Sequence, residues 1–225
     1  MKGDLFANEY MVQPAVEPGM TVQNPKSIRY VVNGEMLARQ GAMIAYRGDL
    51  HFERKGQGVG GMLKRAVTGE GLALMKVHGQ GEAWFAQEAQ NVFVVDIEPG
   101  DVFTVNGRNV LCFDATLSYE IKTVKGAGIS GGGLFNSVFT GHGKLGLVCE
   151  GNPLVLPVSP QQPVYVDTDA VVGWSANLRT SLHRSQSIGS VIRGGSGEAV
   201  QLMLEGEGFV VVRPSEVTPQ KPQQH

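Results

Sequence analysis

The chain has 225 residues with 19 basic and 21 acidic side chains, so its net charge of −2 provides no general field that attracts nucleic-acid phosphates or anionic lipid. A chain of this length often forms one all-β domain, and a hydrophobic content of 42% supplies a sizeable core. The N-terminus lacks a long apolar stretch and no run of 18 apolar residues occurs, which predicts a cytoplasmic protein without a signal peptide or spanning helix.

Residues 1–27 are mixed in character and are interrupted by Pro14, Pro18 and Pro25, which predicts an N-terminal arm. Strand-like patterns then continue over residues 28–214, which we interpret as one repeat-built β domain. Residues 215–225 are polar and contain proline. They cannot bury enough apolar surface to order themselves, so we expect a disordered tail.

The first strand pattern covers residues 28–32, and Asn33-Gly34 after it is a favoured pair for a tight hairpin turn. Two further short runs, 43–46 and 50–52, flank the triplet Arg47-Gly48-Asp49. This triplet is an adhesion signal in some exported proteins. In a chain without an export signal we interpret it as a turn.

Strands are also predicted at 83–86 and 92–97, followed by a turn at Pro99-Gly100. From 110 to 122 apolar and polar residues alternate without interruption, which predicts one long strand with a core face and a face toward water or a partner. As an exposed edge, this strand would invite pairing with another chain.

Later strand-like runs cover residues 154–156, 165–172 and 174–178. The segment 166–174 (VDTDAVVGW) resembles 105–113 (VNGRNVLCF). The similarity indicates an internal duplication.

A glycine-rich segment is written three times in the chain, as GGMLKRAVTGEG (60–71), GGLFNSVFTGHG (132–143) and, more loosely, IGSVIRGGSGEA (188–199). Each copy predicts a turn, a short helix and a glycine corner, and a buried strand follows. The helical pieces include residues 62–67 and 187–192.

The copies align through Thr68, Thr140 and Ser196, at spacings too unequal for an open solenoid. The sequence therefore predicts an internally duplicated, closed all-β domain with a few short helices.

Glu70, His142 and Glu198 occupy matching places in these three copies. Two carboxylates and an imidazole could converge on a metal ion if the repeats close around one axis. The alternative is that each side chain bonds to nearby backbone in its glycine corner. We favour the alternative and predict no metal site.

No catalytic or cofactor motif emerges from the remaining residues. The pattern G-x-G-x-x-G at 126–131 lacks the long helix of a dinucleotide site. Asp167 and Asp169 flank one residue, which suits a solvated turn better than an acid/base pair. Cys112 and Cys149 match no metal spacing and are expected to be reduced core thiols. We therefore predict no catalytic residue, no cofactor and no enzyme activity.

Basic side chains concentrate at Lys64-Arg65 and at Arg179, His183 and Arg184. Single-stranded RNA readers combine such groups with stacking aromatics, but aromatic residues are only 7% of this chain. A solvated face is the favoured interpretation, with RNA binding as an alternative.

Six segments in order resemble a bacterial, actinobacterial-type member of the altered-inheritance-of-mitochondria family, a mitochondrial biogenesis family. They are NEY (8–10), ARQGAMIAYRGDLHFE (38–53), TGEGLALM (68–75), GGLFNSVFTGHG (132–143), DTDAVVGWSANL (167–178) and SGEAVQLMLEGEGFVVVRPSE (196–216). The resemblance implies a fold similar to the tryptophan RNA-binding attenuation protein, with duplicated β-sandwich or double-stranded β-helix units that assemble into rings. It implies no catalytic residues.

From these observations we expect a non-catalytic scaffold or assembly protein that forms homo-oligomers and presents a surface to an unknown protein partner. One alternative is a β module with a small-ligand or metal site near the glycine corners. Further alternatives are RNA binding and peripheral membrane organisation, the last suggested by a yeast relative associated with inner-membrane complexes.

Overall fold

The computed structural model describes residues 3–8, 10–14, 17–54, 72–123, 135–183 and 201–214. These ranges form an all-β structure, which confirms the predicted fold class. The strands are β1 (Gly19–Asn24), β2 (Ser27–Arg39), β3 (Met43–Arg54), β4 (Leu74–Phe85), β5 (Asn91–Ile97), β6 (Phe103–Asn106), β7 (Val110–Asp114), β8 (Leu117–Thr123), β9 (Phe135–Gly141), β10 (Gly143–Cys149), β11 (Leu154–Val158), β12 (Val164–Asp167), β13 (Val171–Ser175), β14 (Arg179–His183), β15 (Gln201–Glu205) and β16 (Gly208–Val212).

The helices of the described residues are two three-residue 3-10 turns, Asp4–Phe6 and Gly107–Asn109. The helical pieces predicted at 62–67 and 187–192 lie outside the described ranges. In the second glycine-rich copy, residues 135–141 form strand β9. The prediction of a helix ahead of that corner is wrong, because this segment pairs on both sides, with β6 and β8.

All strand pairs are antiparallel and belong to three sheets. Sheet I has the order β3-β4-β2-β7-β10-β5, with β1 added on β2. Sheet II has the order β11-β16-β13-β6-β9-β8, and sheet III the order β12-β15-β14. Strand β1 lies within the predicted arm and places Met20 in the core beside β2.

Three structural repeats account for this order. Repeat 1 (27–85) consists of the long strands β2, β3 and β4, whereas repeat 2 (91–149) and repeat 3 (154–212) have two short strands in place of each long one. The similarity between 105–113 and 166–174 is confirmed as a shared strand, turn and strand. In both turns a side-chain oxygen, of Asn106 or Asp167, accepts the backbone N–H two residues on.

Each repeat makes two three-stranded half-sheets. The A half has the order β5-β10-β7 in repeat 2 and β11-β16-β13 in repeat 3, and the B half has the order β6-β9-β8 and β12-β15-β14. In repeat 1 the three long strands contribute to both halves: residues 28–33, 43–48 and 80–85 form the A half, and 34–39, 49–54 and 74–79 form the B half. The strand registers of the three repeats superpose.

Glycine corners mark the boundary between the A and B halves. Gly79, Gly141 and Gly206 have φ of +123°, +113° and +123° and are each followed two residues later by another glycine. The corner at 141–143 therefore corresponds to 79–81 and 206–208. The alignment of the glycine-rich segments matches the corner at 141–143 with 69–71 and 197–199 instead. It does so because Gly69 lies only ten residues before Gly79, and Gly197 only nine residues before Gly206. In the corrected alignment the repeats are almost evenly spaced.

Two predicted turns of repeat 1 are wrong. Asn33-Gly34 and Arg47-Gly48-Asp49 lie inside continuous strands, with Gly34 opposite Gly79 and Gly48 opposite Gly81. Positive φ angles of 115° and 95° let these glycines bend the strand without leaving the ladder. The places of repeats 2 and 3 that match Arg47-Gly48-Asp49 are true turns, at 115–116 and 176–177.

The single strand predicted over 110–122 is also wrong. A turn at 115–116 divides it into β7, which belongs to sheet I, and β8, which belongs to sheet II. The alternation does not mark one core face, because all of 110–113 is buried and the residues of β7 contribute to two core clusters. At its far end Ile121 is 52% exposed.

Three apolar clusters form the core. The first contains residues from both halves of repeat 1 and from the A half of repeat 2, so sheet I curves around it. The second lies between sheets I and II and includes Phe113 and Phe139, whose rings pack edge to face at 5.1 Å. The third lies between sheets II and III around Trp174 and Leu204. The repeats thus stack in series along the chain.

The glycine corner predicts a specific destabilisation. A Cβ at Gly79 would overlap the carbonyl oxygen of Asp49, whereas a Cβ at Gly100, whose φ of +100° is similarly unfavourable, meets nothing within 4 Å. We expect Gly100→Ala to cost about 1 kcal/mol of unfolding free energy and Gly79→Ala at least about 2 kcal/mol more. Urea unfolding measures both, and equal losses would contradict the close backbone approach.

Candidate assembly surfaces

Neighbouring repeats are joined by one strand pairing, always between the B half of one repeat and the A half of the next. At the first junction β2 pairs with β7 and sets Leu37 opposite Phe113. At the second, β6 pairs with β13 and sets Thr104 opposite Trp174. Both junctions are buried, with Phe113 at 0% and Trp174 at 4% exposure.

Polar contacts support the pairing at both junctions. At the first, Arg39 Nε donates to the carbonyl oxygen of Val110 at 2.8 Å, and the same guanidinium donates to Gly107 O. At the second, Arg108 donates to Asp169 O and lies 3.9 Å from its carboxylate.

The series of repeats ends in two unpaired edges. The A half of repeat 1 ends on the 43–48 segment of β3, which pairs only with β4 among the described strands. The B half of repeat 3 ends on β12, which within the described ranges pairs only with β15. We call them the β3 edge (43–48) and the β12 edge (164–167). Among the described strands, these two edges do not pair with each other, so they are the two unjoined halves of such a junction.

The β3 edge exposes apolar side chains that its inner counterparts bury. Ile44 is 60% exposed and Tyr46 52% exposed, whereas Leu111 and Phe113, which hold the same places in β7, are both fully buried. An exposed, apolar strand edge is a template for pairing with another strand.

The β12 edge shows the same contrast. Tyr165 is 47% exposed, whereas Leu37 and Thr104, which hold its place in repeats 1 and 2, are 3% and 5% exposed. The difference follows from the missing neighbour, because the strand register within each B half is the same.

A β-bulge occurs at the same place in all three A halves. Ile44, Leu111 and Val172 are each skipped by the register with the adjacent strand. Since bulges fix local twist and re-aim side chains, the β3 edge has the local geometry of the two strands that do form junctions.

A charged cluster lies beside the β3 edge. Glu82 on β4 accepts from Arg29 Nε at 2.7 Å and from Arg47 Nη2 at 2.8 Å, and both guanidinium groups lie over the ring of Trp84. Burial acts to raise the pKa of Glu82, but the hydrogen bonds from Arg47 and Arg29 outweigh it and hold the pKa below its ordinary value.

Of the three residues considered for a metal site, the structure describes His142. His142 is exposed at the end of β9, while Glu70 and Glu198 lie outside the described residues. The counterparts of His142 in the strand order are Gln80 and Glu207, not Glu70 and Glu198. The repeat symmetry therefore gives no argument for a metal site at the three predicted residues. In the described part of the chain no group of three His, Cys, Asp or Glu residues is placed to hold a metal ion.

The other sequence candidates divide between described and undescribed residues. Cys112 and Cys149 are buried free thiols, as predicted. Arg179 and His183 lie exposed on β14, with the His183 ring 5.5 Å from that of Tyr165. Lys64, Arg65, Arg184 and the G-x-G-x-x-G segment lie outside the described ranges. Within those ranges no helix is long and apolar enough to cross a membrane.

The fold defines a class of all-β protein in which three repeats share their sheets with their neighbours. The particular family follows from a family model, described as mitochondrial biogenesis AIM24, that matches residues 27–215. The chain belongs to this family, which confirms the resemblance found in the sequence.

A solved structure supports the fold. The X-ray crystal structure of protein SPYM3_0169 from Streptococcus pyogenes is similar to this chain with a TM-score of 0.69 and 20% sequence identity, over 88% of this chain and 92% of that one. No curated protein matches the sequence.

Sequence reasoning missed both edges. The predicted partner surface was the segment 110–122, whose first part, β7, is buried between repeats, whereas its second part, β8, is a terminal strand of sheet II. The alternation that marked it is typical of any half-buried strand, so it could not distinguish an inner strand from a terminal one. The corrected alignment of glycine corners was the available signal, since it reveals which strand of repeat 1 corresponds to β7.

Glu82 generates a pH prediction. Its lowered pKa stabilises the fold above the unfolded value of about 4.3, and that contribution is lost as pH falls through the folded pKa. Glu82→Gln is expected to cost on the order of 2 kcal/mol at pH 7 and to flatten the acid limb of stability measured by urea unfolding. Asp96→Asn, which removes the exposed partner of Lys144, is the control and should cost less than about 1 kcal/mol. An acid limb as steep in Glu82→Gln as in the wild type would contradict this account.

Proposed function

We propose that this protein is a non-catalytic assembly protein whose copies join head to tail, the β3 edge of one copy pairing with the β12 edge of the next. The observation that supports the proposal is the contrast between buried inner junctions and exposed terminal edges of the same strands. Each copy carries one half of a junction at each end.

The register of such a pairing follows from the inner junctions. When the repeats are superposed, Tyr46 lies opposite Tyr165, just as Trp174 lies opposite Thr104. Ala45 then lies opposite Val166, just as Gly173 lies opposite Val105. Cross-strand aromatic pairs of this kind stabilise antiparallel sheets. The new pairing would extend sheet III of one copy into sheet I of the next.

The two edges differ, so the interface is heterologous. A heterologous contact generates a ring when the rotation between copies closes and an open filament when it does not. Either product is a scaffold of repeated surfaces. The exposed faces of successive copies would then present several equivalent sites to a protein partner.

Charged substitutions at the edges test the proposal. We expect the wild type to sediment as oligomers at micromolar concentration and both Tyr46→Lys and Tyr165→Lys to sediment as monomers, because a lysine on a strand edge opposes pairing. Ile121→Lys is the matched control, since Ile121 is equally exposed on β8 but outside the junction strands. It should leave the oligomers intact.

Mixing the two edge variants sharpens the test. Tyr46→Lys keeps a working β12 edge and Tyr165→Lys keeps a working β3 edge, so the mixture should give a dimer and nothing larger. Native mass spectrometry with one isotopically labelled variant identifies the pair. A monomeric wild type, oligomers in either single variant, or homodimers in the mixture would overturn head-to-tail assembly.

A further inference from the structure

The cleft between sheets II and III is a candidate binding site that is independent of the terminal edges. It has a volume of about 860 Å³, which falls in the range of small-molecule pockets. Repeat 2 contributes Thr104, Asn136 and Val138 to its wall, and repeat 3 contributes Trp174 and Thr180. The cleft thus lies at the second inter-repeat junction.

Asn136 is an unpaired polar group in the cleft wall. Its side chain is on β9 and the residue is only 2% exposed, yet neither the amide nitrogen nor the amide oxygen has a hydrogen-bond partner in the described structure. A buried amide without partners is costly, and native proteins satisfy the great majority of such groups. The Asn136 amide is therefore a polar group of the cleft wall whose hydrogen-bonding capacity is unused in the described structure.

At the first junction, large side chains of the described residues hold the places that correspond to the cleft wall. Leu37 and Leu74 occupy the places of Thr104 and Asn136 and belong to the core between sheets I and II. Tyr119 occupies the place of Thr180 and packs against that core, with its ring 5.5 Å from that of Phe113.

Three large side chains at one junction therefore correspond to three smaller polar ones at the other. Packing alone would favour the apolar set, since it buries more surface and leaves no unsatisfied amide. Retention of the polar set together with the open space points to binding.

The chemistry of the wall identifies the ligand class. Trp174, Leu178 and Phe209 supply apolar and aromatic surface, while the Asn136 amide offers one acceptor and two donor hydrogens. Among the described wall residues, the ammonium group of Lys122 lies 3.3 Å from the Glu120 carboxylate, and the Asp101 carboxylate accepts the backbone N–H of Glu98, so both charges already have a partner.

We infer that this cleft binds a small, uncharged ring compound carrying a carboxamide or a similar adjacent donor and acceptor, which pairs with Asn136. The ring stacks against the apolar wall. A site built on such a pairing discriminates strongly against analogues that lack the donor.

Asn136→Leu is the decisive variant, because it reproduces the first junction, where Leu74 stands. We expect it to raise the melting temperature and to weaken binding of benzamide by at least about tenfold in saturation-transfer NMR titrations. Benzoate, which has the same ring without the N–H donors, should bind the wild type more weakly than benzamide.

Asn109→Leu is the matched control. Asn109 is equally buried, but its Nδ2 donates to Val148 O at 2.8 Å, so the substitution should lower the melting temperature and leave benzamide binding unchanged. Loss of stability in Asn136→Leu would show that the amide is structural. That result, failure of benzamide to bind, or equal binding to wild type and Asn136→Leu would overturn the assignment. All of these readouts are independent of oligomeric state.

Discussion

The structure depends on a close approach of backbone to backbone at the corners of repeats 1 and 2. A side chain at Gly79 would overlap Asp49 O, and one at Gly141 would lie 3.0 Å from Thr116 O. Only glycine permits these contacts and the positive φ angles that accompany them. Because the strands bend or break at the glycine corners, the A and B halves of repeats 2 and 3 belong to different sheets, whereas those of repeat 1 form one bent sheet.

It follows that sheets I and II each combine strands of two neighbouring repeats. Each B half needs the A half of the next repeat, and the chain satisfies this need twice, at β2 with β7 and at β6 with β13. A stack of such units always leaves one A half and one B half without neighbours. In other repeat proteins, terminal repeats with a polar outer face cap the corresponding ends. Here the end strands keep apolar side chains such as Tyr46 and Tyr165.

The two inner junctions have diverged in their packing. The first is filled by leucine and aromatic side chains, whereas the second has Thr104 and Asn136 in place of leucines. A buried polar group without a partner lowers the stability of the fold. Proteins usually keep such unfavourable groups at functional sites. The terminal edges and the cleft are therefore two separate departures from a repeat packed only for stability.

The sequence was sufficient for the fold class, the family and the existence of repeats. The glycine pairs and the short apolar runs are local signals, and they identified all-β repeats and strands such as β5 correctly. The relation between repeats was not predictable in the same way. Gly69-Glu70-Gly71 matches the corner at 141–143 as well as Gly79-Gln80-Gly81 does, and only strand register selects between them.

The same limit applies to the turns and to the site. Asn33-Gly34 has the composition of a hairpin, but β4 pairs with both sides of it and keeps the strand continuous. Asn136 carries no sequence signal at all, since an asparagine among apolar residues is unremarkable until its missing partners are seen. Tertiary contacts decided each of these cases.

Two contacts join residues that hold equivalent positions, 61 apart, in repeats 2 and 3. Asn91 donates to the amide oxygen of Asn152 at 2.9 Å, and Arg108 meets Asp169. An amide is both donor and acceptor, so identical repeats can make the first contact with themselves. A charged pair cannot be made by identical residues. A chain of three identical repeats could thus make the asparagine contact but not the ionic one, so the opposite charges at 108 and 169 require that repeats 2 and 3 differ.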